Sequence, residues 1–200
     1  MKVSLCFPVF EFSKKLTREL SLKERMDEAR GRTPKSRIRS NRHGWQGVLP
    51  LEDVASLKIK IRMAVEEEMM VYLGVSKSTC HISQMWGNIN SHSSWNVPHT
   101  HPGSFYAGVY YVSAQEDMGD CVLVNTHSVI LDNIPYAPKL RLEHKITPKT
   151  GYLHLFPSGQ FHYVEPNRSN TPRYSISFNI KVTCEAKDRI PGSHIIEEEV

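Results

Sequence analysis

Cysteine is scarce and scattered: Cys6, Cys80, Cys121 and Cys184 are the only four in 200 residues, and no two form a C-x-x-C pair. That argues against a zinc ribbon and a disulfide-stapled secreted scaffold, and leaves reduced, packed thiols. No apolar run approaches the length needed to cross a membrane, and the apolar opening from Met1 to Phe12 lacks the organisation of a signal peptide. The expectation is a soluble, cytoplasmic protein with no membrane partner. Aromatic residues are missing where the chain is most basic. Residues 14–42 hold eleven Lys and Arg (Lys14, Lys15, Arg18, Lys23, Arg25, Arg30, Arg32, Lys35, Arg37, Arg39, Arg42) against four acids, in a chain whose overall net charge is 25 − 21 = +4. Such a stretch can attract nucleic acid or an acidic protein. With nothing to stack a base, it reads better as a solvated helix face followed by a basic loop. Also missing, after residue 80, is any helical pattern, which excludes a parallel sheet built on crossover helices.

What is present suits a single domain with 40% hydrophobic content. Residues 3–10, interrupted by Pro8, read as an edge strand. Ser13 to Ala29 reads as a helix with Ser13 as N-cap and Gly31 as stop, and 32–47 as a loop pinned by Trp45. From Leu51 to Leu73, Val54, Leu57, Ile61, Val65, Met69 and Tyr72 recur at three- and four-residue steps, so one face of a second helix packs, with Gly74 ending it. Strands are expected at 81–90, 106–113, 121–126, 140–146, 152–156, 160–164 and 173–182, with a turn at 115–120 and a Pro-rich loop at 132–139. Close strands without helices between them predict an antiparallel sandwich or barrel with the N-terminal helices outside. The organisation expected is 1–77 as an N-terminal layer, 78–184 as the β core and 185–200 as an acidic tail, all in one domain.

The chemistry concentrates in Asn96 to Val112. His99 and His101 stand two apart, and on an extended backbone residues i and i+2 leave the same face, so two imidazoles converge. Pro98 and Pro102 bracket them and stiffen the segment. Sixty-one residues on comes His162, and eleven beyond it Arg173-Tyr174-Ser175. The excursion through Pro166 and Pro172 reads as a turn returning the chain beside its previous strand, which makes His162 and Arg173 neighbours. Three histidines and an arginine in one barrel suit a metal together with a carboxylate that the arginine fork also holds. His43, His81, His92, His127, His144, His154 and His194 have no partner at telling spacing and read as surface or hydrogen-bonded residues; His154 lies nearest the site. Trp45, Trp86 and Trp95 read as packing anchors, Trp95 having the best claim to the pocket rim. The polar loop from Ser91 to Trp95 is expected at the mouth.

Several separate segments, in order, resemble the 2-oxoglutarate and iron(II) dependent oxygenases, and most closely their bacterial and phage branch. They are Ser40-Asn41 with Gly44-Trp45-Gln46, Trp86 with Asn88, Asn96 through His99-Thr100-His101-Pro102, Gly108-Val109-Tyr110-Tyr111, Gly151 with Phe156-Pro157-Ser158, His162, and Arg173 to Asn179. The resemblance implies a mainly β fold, a distorted double-stranded β-helix of jelly-roll or cupin-like form. It implies Fe(II) and 2-oxoglutarate as cofactors, with molecular oxygen as co-substrate. His99 and His162 match the outer metal ligands of the family pattern, and Arg173 and Ser175 the element that holds the distal carboxylate of 2-oxoglutarate. Tyr110 and Asn88 are further expected contacts to the cofactor. Tyr110 and Tyr111 face opposite sides of a strand, and the reading favours Tyr110. His101 stands where a ligating Asp or Glu is usual, although the same branch shows H-x-H-P. It is either a third imidazole ligand or a residue behind the ligands, with water or a carboxylate such as Glu116, Asp117 or Asp120 completing the set.

The activity implied is oxidative decarboxylation of 2-oxoglutarate to succinate, coupled to oxidation of a C–H bond. Two other classes stay open: a three-histidine iron dioxygenase that does not use 2-oxoglutarate, and a cupin-like module that binds metal or ligand without turnover. The substrate is open among a small metabolite, a protein and a nucleic acid. So is a homodimer, the commonest homo-oligomer.

Overall fold

In a computed structural model, residues 12–16, 21–36, 39–73, 78–125 and 143–184 are described. The expected strand at 3–10, the Gly74 stop, the loop at 132–139, the acidic tail, His127 and His194 lie outside them. Among the described residues, eleven antiparallel strands form two sheets. The larger runs in the order β1 (Phe12–Lys15), β9 (Tyr152–Pro157), β6 (Tyr106–Ser113), β11 (Arg173–Cys184), β4 (Ser78–Asn90) and β3 (Trp45–Gly47). The smaller runs β2 (Asn41–Arg42), β5 (Trp95–His99), β10 (His162–Val164), β7 (Cys121–Val124) and β8 (Glu143–Ile146). This is the expected double-stranded β-helix. Among the described residues the α-helices are α1 (Leu22–Arg32) and α2 (Leu51–Leu73), and neither is long and apolar enough to cross a membrane.

Strand β11 shows how the sheet serves two purposes. Tyr174, Ile176, Phe178 and Ile180 leave one face and join the core with Leu57, Ile61 and Val65 of α2 and with Tyr110, Leu153 and Leu155. Arg173, Ser175 and Ser177, one step out of phase, leave the other face and line a cavity facing the small sheet. The side of the large sheet toward the helices is therefore apolar and the inner side is chemical. The α2 stripe behaves as its period requires: Val54, Leu57, Ile61 and Val65 are buried. Tyr174 fastens α1 to this sheet by donating its hydroxyl to the Asp27 carboxylate at 3.0 Å. Burial first, then that carboxylate, push its phenol up to about 12.

The N-terminal expectations need correction. Phe12–Lys15 is a strand paired with β9, with Ser13 opposite His154, rather than the first turn of a helix. The helix starts at Leu22 with Ser21 in the N-cap position, and it runs through Gly31 to Arg32. Lys14, Lys15 and Leu16 carried the helical reading of this stretch, and an edge pairing overrides such propensities. The segment 32–47 is more than a loop, since Trp45 belongs to β3, is buried, and donates its indole N–H to the Thr33 carbonyl at 2.8 Å.

Gly108 is closely packed between β6 and its neighbours. A Cβ there would lie 2.4 Å from Phe178 Cζ and 2.7 Å from the His154 carbonyl oxygen. Gly108→Ala is therefore expected to cost about 1–3 kcal/mol through overpacking, read as a lowered urea midpoint with unchanged slope.

Candidate active site

The small sheet carries His99 at the end of β5 and His162 at the start of β10, and the two are register partners across the ladder. Their rings approach to 4.3 Å between centroids. His101 lies beyond the end of β5, so strict strand alternation is not what aims it. Its backbone N–H bonds the Ser158 carbonyl at 2.9 Å, and Ser158 in turn takes the Phe105 carbonyl with its N–H and the Ser104 carbonyl with its hydroxyl. That clasp returns the His101 ring to 5.0 Å from His99 and 5.1 Å from His162. One ring nitrogen from each of the three lies within 4.8 Å of the others.

Two of these rings have their tautomer fixed. His99 Nδ1 donates to the Val97 carbonyl at 2.7 Å and His162 Nδ1 to the Gln160 carbonyl at 2.8 Å, which leaves the Nε2 lone pair of each toward the common point. Burial lowers all three pKa values. His162 falls to about 3, through burial and then the repulsion of its two neighbours. His101 falls to about 4, through burial and then His99. Burial lowers His99 as well, against the Val97 carbonyl. Neutral imidazoles offering lone pairs to one point are the donor set a divalent transition metal requires, so the residues present fit Fe(II). Glu116, Asp117 and Asp120 do not join the cluster, and among the described residues no carboxylate does.

Opposite the histidines, on the inner face of β11, Arg173 is 2% exposed. The expected turn does not set it beside His162. Strand β10 is in the small sheet and β11 in the large one, flanked by β6 and β4, so the eleven-residue excursion crosses between sheets and the two residues meet across the cavity. Arg173 Nη1 donates to the carbonyls of Met118 and Gly119, and no carboxylate pairs with it among the described residues. Burial pushes its pKa down, opposed by Tyr111, Cys121 and Asp120. Ser175 and Asn88, register partners, line the same cavity. Asn88 Nδ2 donates to Ser177 Oγ at 3.0 Å, and its Oδ1 accepts from Gln46 Nε2 at 3.1 Å.

Three expectations fail here. Tyr111, not Tyr110, lines the cavity, because Tyr110 falls on the helix-facing side of β6 and is buried in the core. Trp86, not Trp95, borders the site, with its ring 5.8 Å from His101. The loop from Ser91 to Trp95 packs onto the 165–172 connection through Ser93 N–H to the Asn167 carbonyl and lines neither cavity at the site. His154 is buried near Tyr111 and Tyr152 and does not reach the histidine cluster. Ser177 was missed, although a polar residue every second position from Arg173 to Asn179 in an otherwise apolar strand was a readable signal. An outer cleft of about 710 Å³, bordered by Arg39, Gln84, Trp86 and Asn179, opens onto His99 and His101. The inner cavity holds about 50 Å³, and its wall includes Tyr111, Arg173 and Ser175.

Residues 84–179 match a family model described as "Putative 2OG-Fe(II) oxygenase". No curated protein matches the chain. Among solved structures, it resembles a prolyl-4-hydroxylase from Pseudomonas putida at 13% identity, with 87% of this chain and 93% of that one covered and a TM-score of 0.56. A viral collagen prolyl hydroxylase from Paramecium Bursaria Chlorella virus-1, in a 2OG complex, gives 14% identity, 88% and 98% coverage and a TM-score of 0.57. The alpha-ketoglutarate dependent carbocyclase SnoK of nogalamycin biosynthesis gives 9% identity, 86% and 79% coverage and 0.62. These likenesses establish the fold over most of the chain. The segment 84–179 that matches the 2OG-Fe(II) oxygenase family model carries all three clustered histidines and Arg173.

Proposed function

We propose that this chain is a 2-oxoglutarate and Fe(II) dependent oxygenase that hydroxylates a C–H bond, with residues 78–184 as its catalytic core. The observation that carries the reading is a buried arginine that pairs with no carboxylate among the described residues and faces three neutral imidazoles across one cavity. A dicarboxylate that spans the two completes both: it neutralises Arg173 and chelates the metal.

His99, His101 and His162 would hold the iron. The Val97 and Gln160 carbonyls orient two of those rings. Arg173 and Ser175 receive the distal carboxylate of 2-oxoglutarate, with Asn88 held beside them by Gln46 and Ser177. Phe156, 4.7 Å from the His162 ring, excludes water on that side. Bound iron supplies the oxygen chemistry, in which 2-oxoglutarate, O2 and R–H become succinate, carbon dioxide and R–OH, one oxygen atom entering each organic product. The inner cavity, at about 50 Å³, has room for one or two waters. Among the described residues bordering the outer cleft Arg39 is the one formal charge, which suits a neutral or acidic substrate.

The test is an anaerobic titration with Fe(II) and then 2-oxoglutarate, followed by the visible metal-to-ligand charge-transfer band and, in air, by succinate release. A band needing both additions is expected. The all-histidine donor set favours a second reading, a three-histidine dioxygenase that binds its substrate directly. Tight iron binding with no band would establish that alternative instead. The tyrosines give a further check. Tyr111→Phe is expected to weaken 2-oxoglutarate binding about fivefold, the worth of about one hydrogen bond, while Tyr110→Phe leaves it within twofold.

A further inference from the structure

We propose that Ser40 is a substrate-binding residue, and that it presents its hydroxyl hydrogen to an acceptor oxygen of the substrate, a carbonyl or ether next to the carbon oxidised. The proposal rests on reading the outer cleft as the substrate side of the oxygenase site. Ser40 borders both the inner cavity and the outer cleft, so it stands where a substrate meets the metal.

The direction of its hydrogen follows from a chain of buried amides. Gly44 N–H donates to the side chain of Asn41 at 3.0 Å. A backbone N–H can only donate, so the Asn41 atom it meets is Oδ1, and Nδ2 is left to donate onward. It does so to Asn90 Oδ1 at 2.9 Å. Asn90 Nδ2 then donates to Asn96 Oδ1 at 3.3 Å, and Asn96 Nδ2 to Ser40 Oγ at 3.1 Å. Each amide uses its oxygen toward Gly44 and its nitrogen toward Ser40. One backbone group thus sets the polarity of the whole row, and turning any single amide would break two bonds at once. At the end of the row Ser40 Oγ is already an acceptor, and among the described residues no group takes its hydrogen. That hydrogen belongs to the cavity.

The row is built for the purpose. Asn41, Asn90 and Asn96 are 4%, 1% and 9% exposed, and buried amides are tolerated only when satisfied. Gly44 is required, since a Cβ there would lie 2.6 Å from Asn41 Oδ1. The Ser40 backbone is fixed as well, its carbonyl accepting from Val97 N–H at 2.9 Å. A structural serine needs none of this directionality.

The test uses the full chain loaded with Zn(II), a diamagnetic stand-in, and 2-oxoglutarate, with two probes of one shape: cyclopentanone, which accepts a hydrogen bond, and methylenecyclopentane, which does not. Affinities come from saturation-transfer NMR. The readout is the ketone-to-hydrocarbon preference relative to wild type, which cancels the difference in hydration. Ser40→Ala is expected to lower it about five- to tenfold, the worth of one hydrogen bond. Ser40→Thr keeps it. Asn96→Asp puts an acceptor where Nδ2 was, turns the Ser40 hydrogen away from the cleft, and lowers the preference as Ser40→Ala does; the double variant falls no further. An unchanged preference in Ser40→Ala overturns the proposal, and so does a loss in Ser40→Ala that Asn96→Asp does not reproduce. If the Fe(II) and 2-oxoglutarate band is absent from wild type while the preference behaves as expected, the oxygenase reading fails and the Ser40 assignment survives.

Discussion

Arg173→Met is expected to raise the 2-oxoglutarate concentration needed for the charge-transfer band by about 100-fold or more, with iron stoichiometry unchanged. Removing one partner of a buried, hydrogen-bonded charge pair costs about 2–5 kcal/mol, and a hundredfold is about 2.7 kcal/mol. A loss of at least that size is expected because the cation is 2% exposed and, among the described residues, its hydrogen bonds go to the Met118 and Gly119 carbonyls and to no carboxylate. Folding stability should move less than affinity. Losing the donor leaves two carbonyls unsatisfied, but it also removes a buried charge that the free protein leaves short of an anion, and these effects oppose. Arg173→Lys separates charge from shape. An ammonium supplies the charge without the planar fork, so it cannot hold the two carbonyls and a carboxylate together, and an intermediate loss of about tenfold is expected. Wild-type titration curves in Arg173→Met would remove the clamp from the mechanism and put the three-histidine dioxygenase ahead of the 2-oxoglutarate reading.

The distribution of Arg173 and His162 over two sheets shows where reading the sequence stops. Their spacing was legible, and so was the polar-apolar alternation of 173–180 that puts Arg173 and Ser175 on one face and Tyr174 and Ile176 on the other. The destination of a turn was not. Eleven residues reach a neighbouring strand or the opposite sheet equally well, and the choice is made by pairings of β11 with β4 and β6, whose partners are far away in the chain. The Tyr110 and Tyr111 assignment failed for the same reason: alternation says that they differ, while only the third layer, α2 packing on the far face, says which one points in. Ser13 to Lys15 carried helix-favouring residues and became an edge strand, because β9 offered an unpaired edge. The α2 stripe from Val54 to Val65 was read correctly because its period, length and charged far face all agree within one element, while the side chains of Met69 and Tyr72 lie outside the described ones. The metal cluster was legible as residues but not as geometry. His101 reaches the other two rings through the Ser158 clasp, a contact 57 residues away that no strand periodicity announces.

That clasp makes His101 the sharpest remaining question about the metal, and His101→Ala is expected to abolish stoichiometric iron binding. Residues standing behind metal ligands typically cost about 10–100-fold in affinity when removed, so a loss beyond about 100-fold separates a ligand from a supporting residue. The geometry favours the ligand. The His101 ring sits 5.0 and 5.1 Å from its two partners, a ring nitrogen lies within the shared 4.8 Å limit, and among the described residues no carboxylate stands ready to replace it. His99→Ala sets the scale for a ligand whose tautomer is fixed by the Val97 carbonyl. His101→Asp is the informative companion. It restores an acidic donor between two imidazoles, so iron should stay bound, now with a negative charge that stabilises Fe(II) and shifts the charge-transfer band. If His101→Ala instead keeps one iron per chain within a tenfold change in affinity, two histidines and a solvent ligand suffice. His101 would then act by stacking between Trp86 and His162, and the band position in His101→Asp should match wild type.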